Sequence, residues 1–273
     1  MSLAHATRSE LTKQFSTSIW WILALVLAAY LGVTAAGLAF AIAASDTGML
    51  GRATQGLPTG ADAASMLYSL ASAVGYVFPL LIGTLLVTGE FRHKTLTPTF
   101  LATPRRGRVI WAKLIAGAIF GLLYAVLALV VTVGPAAGIL VGFGLDTGLD
   151  STDTWAMLAR ILLAFVLWAI IGIGVGLAVR NQVAAVVIVL AFTQFIEPLL
   201  RFAGAFVEAL TDVARYLPGA ASDTLVGSSI FTAAMSGTAG GGLEWWGGAL
   251  VLLGYGVALT LIGYIAGWRR DVT

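Results

Sequence analysis

The stretch Ile19–Ala44 contains no charged residue, and five further apolar stretches follow it: Met66–Val87, Val109–Val133, Trp155–Val179, Val183–Leu200 and Trp245–Trp268. About 20 apolar residues in a helix cross the hydrocarbon core of a bilayer, where only helices and closed barrels satisfy their own backbone. These runs predict an all-α integral membrane protein of six transmembrane helices in a single transmembrane domain, residues 1–273. The charged fraction is 10% and the hydrophobic fraction 59%, whereas soluble domains carry about a quarter charged residues. The fifth run is the least secure. Its uninterrupted apolar part ends at Ile196, before Glu197 and Pro198, and taken alone it also fits a buried or re-entrant segment.

Charge fixes the count and the orientation. Arg8 and Lys13 precede span one; Arg92, Lys94, Arg105, Arg106, Arg108 and Lys113 surround the loop after span two; Arg180 lies between spans four and five; Arg269 and Arg270 follow span six. With six spans all of these fall on one side, and Arg52, Arg160, Arg201 and Arg215 on the other. The positive-inside rule places the first set, with both termini, in the cytoplasm. Five spans would put Arg269 and Arg270 outside. Trp20, Trp21, Trp155, Trp245, Trp246 and Trp268 stand at span ends, as an interfacial belt requires. Ala41-Ile42-Ala43 resembles a signal-cleavage site, but the apolar run before it is too long for a signal peptide, so span one is expected to be retained.

Several classes of chemistry drop out. Without cysteine there is no disulfide or thiolate metal site. The two histidines, His5 and His93, are far apart and beside basic residues, so no metal is expected. A net charge of +2 gives no reason to expect a nucleic-acid partner. There is no G-x-x-x-x-G-K-[ST] loop, no H-E-x-x-H and no G-x-S-x-G. The chain is therefore expected to be no enzyme: a pore, an ion-coupled carrier, or the membrane half of a machine powered by another chain.

The polar segments are more specific. Thr7–Ser18 reads as an amphipathic helix in the inner interface, with capping-box spacing at Thr7 and Glu10 and with Leu11, Phe15 and Ile19 on one face. After span two, Thr97 and Pro98 make a helix start and Pro104 a stop, giving a short cytoplasmic helix Pro98–Thr103 that shows Phe100 and Leu101. Glu90 lies at the membrane edge, where a carboxylate needs a partner; Arg92, Lys94, Arg105 and Arg106 are the expected ones. Arg201–Leu243 reads as short helices dipping into, or lying on, the outer leaflet. Gly117/Gly121, Gly134/Gly138, Gly138/Gly142, Gly172/Gly176 and Gly263/Gly267 have the spacing of close helix packing, although 33 glycines make some such pairs inevitable. Arg160 inside span four calls for a counter-charge, and Glu197 on span five is the expected partner in a structural ion pair.

Glu90-Phe91-Arg92 with Thr95, then Leu101-Ala102-Thr103-Pro104-Arg105-Arg106 and Lys113, together with Glu10-Leu11-Thr12-Lys13 and Arg215-Tyr216-Leu217-Pro218-Gly219, resemble the ABC-2 type ABC transporter permeases. The likeness extends over essentially the whole chain, with Lys94 standing where that family often has glycine. It implies a half-transporter of the bacterial cell membrane that pairs with a second permease, identical or homologous. Two copies of a separate ABC ATPase would bind ATP and Mg, with no cofactor on this chain. Glu90, Phe91, Arg92, Thr95, Pro98, Phe100, Leu101, Arg105 and Arg106 would couple to that ATPase through a coupling helix. Tyr76, Phe78, Phe192, Thr193, Gln194 and Phe195, on spans two and five, would line a path for a hydrophobic or amphipathic drug, antibiotic or lipid. The outer segment would act as a gate. The alternatives are a self-contained secondary carrier, marked by broken helices and a midplane ionisable site, and a membrane subunit without a transport role.

Overall fold

A computed structural model of the chain describes residues 2–46, 61–95, 99, 105–228 and 243–265. Among them are helices and turns but no strand, and six helical stretches are long and apolar enough to cross a membrane. The chain is a multi-pass membrane protein. Helix α1 (Leu3–Phe15) leads into α2 (Ile19–Asp46), which is span one; α3 (Ala61–Gly75) and α4 (Val77–Arg92) make span two. Spans three and four are α5 (Arg106–Gly142) and α6 (Thr152–Ala178). Span five is α7 (Gln182–Ala191), a π turn Phe192–Ile196 and the first part of α8 (Glu197–Phe206). Two short helices follow, α9 (Glu208–Ala214) and α10 (Pro218–Val226), then span six, α11 (Trp245–Gly263). The ends of span six at Gly267 and Trp268, and the segment around Ser236–Gly242, lie outside the described residues.

The spans differ from the sequence expectation in two instructive ways. Span two is broken at Tyr76, three residues before Pro79. A proline ring meets the carbonyl four residues back, here that of Gly75, so the helix cannot run through unaltered. Span five, by contrast, continues past Glu197 and Pro198 to Gly204. The π turn just before Pro198 widens the helix where the proline would otherwise collide with it.

Span two is buried along nearly its whole length, whereas spans one, five and six keep most of their side chains on the outside. Span four joins the parts, packing on spans two, three and six. Its glycines set the distances. A Cβ on Gly172 would lie 3.0 Å from Thr84 N and from Leu80 C, backbone atoms of span two, and Thr84 Oγ1 donates to Gly172 O at 3.1 Å. Gly121 meets Phe165 O in the same way, at 2.9 Å. The Gly134, Gly138 and Gly142 positions have nothing within 4 Å, so that part of the small-residue pattern does not bring helices together here. Gly172→Ala is therefore expected to cost about 2 kcal/mol through overpacking, read as a lower thermal midpoint in detergent. Gly138→Ala, at an open position inside a helix, should not lower the midpoint and should raise it slightly.

Candidate functional site

Two polar assemblies interrupt the apolar body, one at each end. The first lies at the end that the basic residues mark as cytoplasmic. Glu10 on α1, Glu90 on α4 and Lys113 on α5 are buried, Lys113 completely. Lys113 Nζ is 2.6 Å from Glu10 Oε2 and 2.9 Å from Glu90 Oε2; Lys13 Nζ is 2.7 Å from Glu10 Oε1 and 2.8 Å from Glu90 Oε1. The four charges alternate around a closed ring and sum to zero. The Lys113–Glu90 side is an ion pair only, because Glu90 Oε2 receives no directed hydrogen bond; Lys113 donates instead to Leu86 O at 3.3 Å. Lys13 spends its third proton on Thr99 Oγ1, at 3.1 Å, and Thr99 in turn donates to Thr95 O at 2.9 Å. Helix α1, spans two and three and the loop after span two thus share one ionic knot.

Burial by itself raises the pKa of the Glu10 carboxyl, but Lys113 and Lys13 outweigh it and hold the group below its ordinary range. Burial likewise lowers that of Lys13, and Glu10 and Glu90 more than reverse it, leaving the ammonium harder to deprotonate than usual.

This arrangement corrects two expectations. Glu90 pairs with Lys13 and Lys113, not with Arg92, Lys94, Arg105 or Arg106; Arg92, Lys94 and Arg105 are exposed. Helix α1 starts at Leu3, capped by Ser2, not at Thr7. Its buried face carries Ala6, Thr7, Glu10 and Gln14, because the Glu10–Lys113 pair draws that side inward. Phe15 is still half-covered, against Trp20 and Phe120. The clue available in the sequence was Lys113. An ammonium inside an apolar span needs an anion at its own depth, and Glu10 and Glu90 are the acids that flank spans one and two on that side.

The chain turns out of α4 in a Schellman motif. Thr95 N–H donates to Glu90 O at 3.1 Å, Lys94 N–H to Phe91 O at 3.4 Å, and Lys94 has φ +55°. Lys94→Gly should raise stability by about 1 kcal/mol by relieving that conformation, and Lys94→Val should lower it. Thermal unfolding of the three proteins measures both. Phe91 packs beside Val87, Val109 and Ile110. Pro98, Phe100 and Leu101, the core of the expected coupling helix, lie outside the described residues.

The second assembly, at the opposite end, surrounds α10. Seven of its residues are buried: Pro218, Gly219, Ala221, Ser222, Asp223, Leu225 and Val226. The buried Glu197 carboxylate accepts from Gly219 N–H and faces Ala220 N–H, capping α10 across the fold. An anion at that end is favoured by the helix dipole. Arg160 lies near the other end, its guanidinium 5.0 Å from the Trp245 ring centre and Nη1 3.2 Å from where a Cβ on Gly227 would stand. Ser222 accepts from Trp168 Nε1 at 3.1 Å and meets Ser72 Oγ at 3.3 Å, while Arg201 pairs with Asp223. The expected Arg160–Glu197 ion pair is not made. Glu197 caps one end of that short helix, and Arg160 lies beside the other.

The aromatic positions divide. Tyr76 stacks on Trp168 at 4.5 Å and donates to Thr193 O at 3.2 Å, both Tyr76 and Thr193 being buried. Phe78 and Phe192 are half-buried, and Gln194 and Phe195 face outward, Phe195 at 73% exposure. These six do not converge on one surface within the chain. Among the described residues, no group of three or more His, Cys, Asp or Glu is placed to hold a metal. Compared with known proteins, the chain matches no family model and no curated protein sequence.

Proposed function

We propose that the chain is the membrane permease of an ABC-2 type ABC transporter in a bacterial cell membrane, exporting a hydrophobic or amphipathic compound by alternating access. It pairs with a second permease and is driven by two copies of a separate ATPase that holds the ATP and Mg. The observation that carries this reading is the ionic knot, because it fastens Thr99, in the loop after span two, to α1 and span three at once. A force applied at Thr99 reaches three elements through these contacts. A ligand drives a conformational change only by interacting differently with two states, and closure of an ATPase pair against such a loop supplies the difference. Span five adds support. Its outward face shows Val187, Ile188, Phe195 and Leu199, an apolar surface fit to meet a second permease or the cargo. In this reading α10 is the outer gate, held by Glu197 and Arg160.

The test is co-expression with a candidate ATPase, followed by purification and ATPase assay of the wild type, Glu90→Ala and Phe100→Ala/Leu101→Ala. Co-purification that weakens in the double variant, with cargo-stimulated turnover lost in Glu90→Ala, supports the permease. If no ATPase associates and both variants act as wild type in cells, the carrier reading takes its place, with Glu197 beside its π turn as the residue to examine.

A further inference from the structure

We propose that the outward face of α1 binds the headgroup of an anionic phospholipid. The ionic knot turns Glu10, the sole acid of α1, inward, and so decides what the opposite face presents. On that face His5, Arg8, Ser9, Thr12 and Ser16 are exposed, and with Lys13 they line a shallow concavity of about 430 Å³. A water molecule occupies about 30 Å³, so the hollow has room for a phosphodiester and its substituent.

The donors are of the right kind. The Arg8 guanidinium and the Ser9 hydroxyl have no partner among the described residues. A guanidinium offers five N–H donors in a planar fork that matches phosphate oxygens. His5 engages Ser2 through Nδ1 at 2.7 Å, which leaves its Nε2 available. Lys13 contributes wall rather than charge, since its protons go to Glu10, Glu90 and Thr99. Among the described residues no carboxylate stands on this face to repel an anion.

Depth selects lipid over other anions. Only Ser16, Thr17 and Ser18 separate α1 from span one, and Trp20 Nε1 donates back to Phe15 O at 3.1 Å. Phe15 and Trp21 are exposed there, at the level where aromatic rings meet headgroups. The positive-inside rule assigns this end to the cytoplasmic leaflet, which carries the anionic lipids. The proposal rests on that orientation and not on any ATPase.

The experiment uses the full chain in detergent, with native mass spectrometry of added phosphatidylglycerol and phosphatidylcholine. The wild type should retain phosphatidylglycerol in preference. Arg8→Gln should cut that preference about fivefold, the worth of one basic residue at a charged surface; Arg8→Lys should keep most of it. The thermal midpoint should hold in both variants, since Arg8 is outside the ionic knot. Equal retention of the two lipids overturns the proposal, and so does a preference unchanged in Arg8→Gln/Ser9→Ala. Inorganic phosphate that displaces phosphatidylglycerol at millimolar levels would mark a free-anion site instead. Loss of a co-purifying protein in Arg8→Gln, with lipid retention intact, would mark a protein interface; either result also overturns it.

Discussion

Lys113→Met should be the most damaging single substitution at the α1 end of the molecule, lowering stability by about 3–5 kcal/mol. Removing one partner from a buried ionic group leaves uncompensated charge, and that costs far more than the intact group contributes. Here Glu10 and Glu90, both buried, would face each other with Lys13 as their remaining cation. Adding Glu90→Gln to Lys113→Met restores neutrality and should recover part of the loss. A double-mutant cycle on thermal midpoints should therefore be strongly non-additive. Additive losses would mean that the two groups act separately and that the knot is not a unit.

The same knot fixes the pH response of α1 docking. Glu10 has a lowered pKa in the folded protein, so its contribution is complete above the ordinary value of 4.5 and disappears as pH falls through the lower folded value. Lys13 has a raised one, so its contribution is complete below the ordinary 10.5 and is lost as pH climbs through the higher folded value. Proteolytic accessibility of α1 should thus be flat between those limits and increase beyond either.

Glu197→Ala should be the second large effect, about 3 kcal/mol, since it removes the carboxyl group that backbone donors inside the protein bond to and leaves those donors unpaired. Hydrogen exchange should show faster opening confined to Pro218–Val226. Gly219→Ala should reproduce the result by another route, because its Cβ would stand 2.9 Å from Glu197 Cδ and push the carboxylate away. Arg160→Ala, which loses a cation at the other helix end and its contact with Trp245, should open α10 by only about 1 kcal/mol. Uniform exchange across the whole chain in Glu197→Ala would show general destabilisation, and α10 would lose its standing as a separable element.

Much of the architecture was legible in the residues. Six apolar runs produce six spans because a bilayer leaves the backbone no other solution, and even the doubtful fifth run follows that rule to Gly204. Boundaries were less legible. Span three continues to Gly142 through Pro135, beyond the point where composition alone would end it. Partners were least legible. Glu90 has four basic residues near it in sequence and pairs with two others, Lys13 and Lys113, which lie 77 positions before it and on the next span. Arg160 and Glu197 are both burdened with charge inside the apolar body, as the sequence says, yet they meet α10 rather than each other.

The sequence by itself determined that the chain lives in a membrane, which of its helices are long and apolar enough to cross it, and which residues need a counter-charge. Those follow from transfer energies, which depend on residue type and run length alone. Tertiary structure decided who satisfies whom: which face of α1 turns inward, which ammonium meets Glu90, and what Glu197 caps. Such choices depend on distances of a few ångströms between helices that are remote along the chain, and those distances are set by packing at positions such as Gly172 and Thr84.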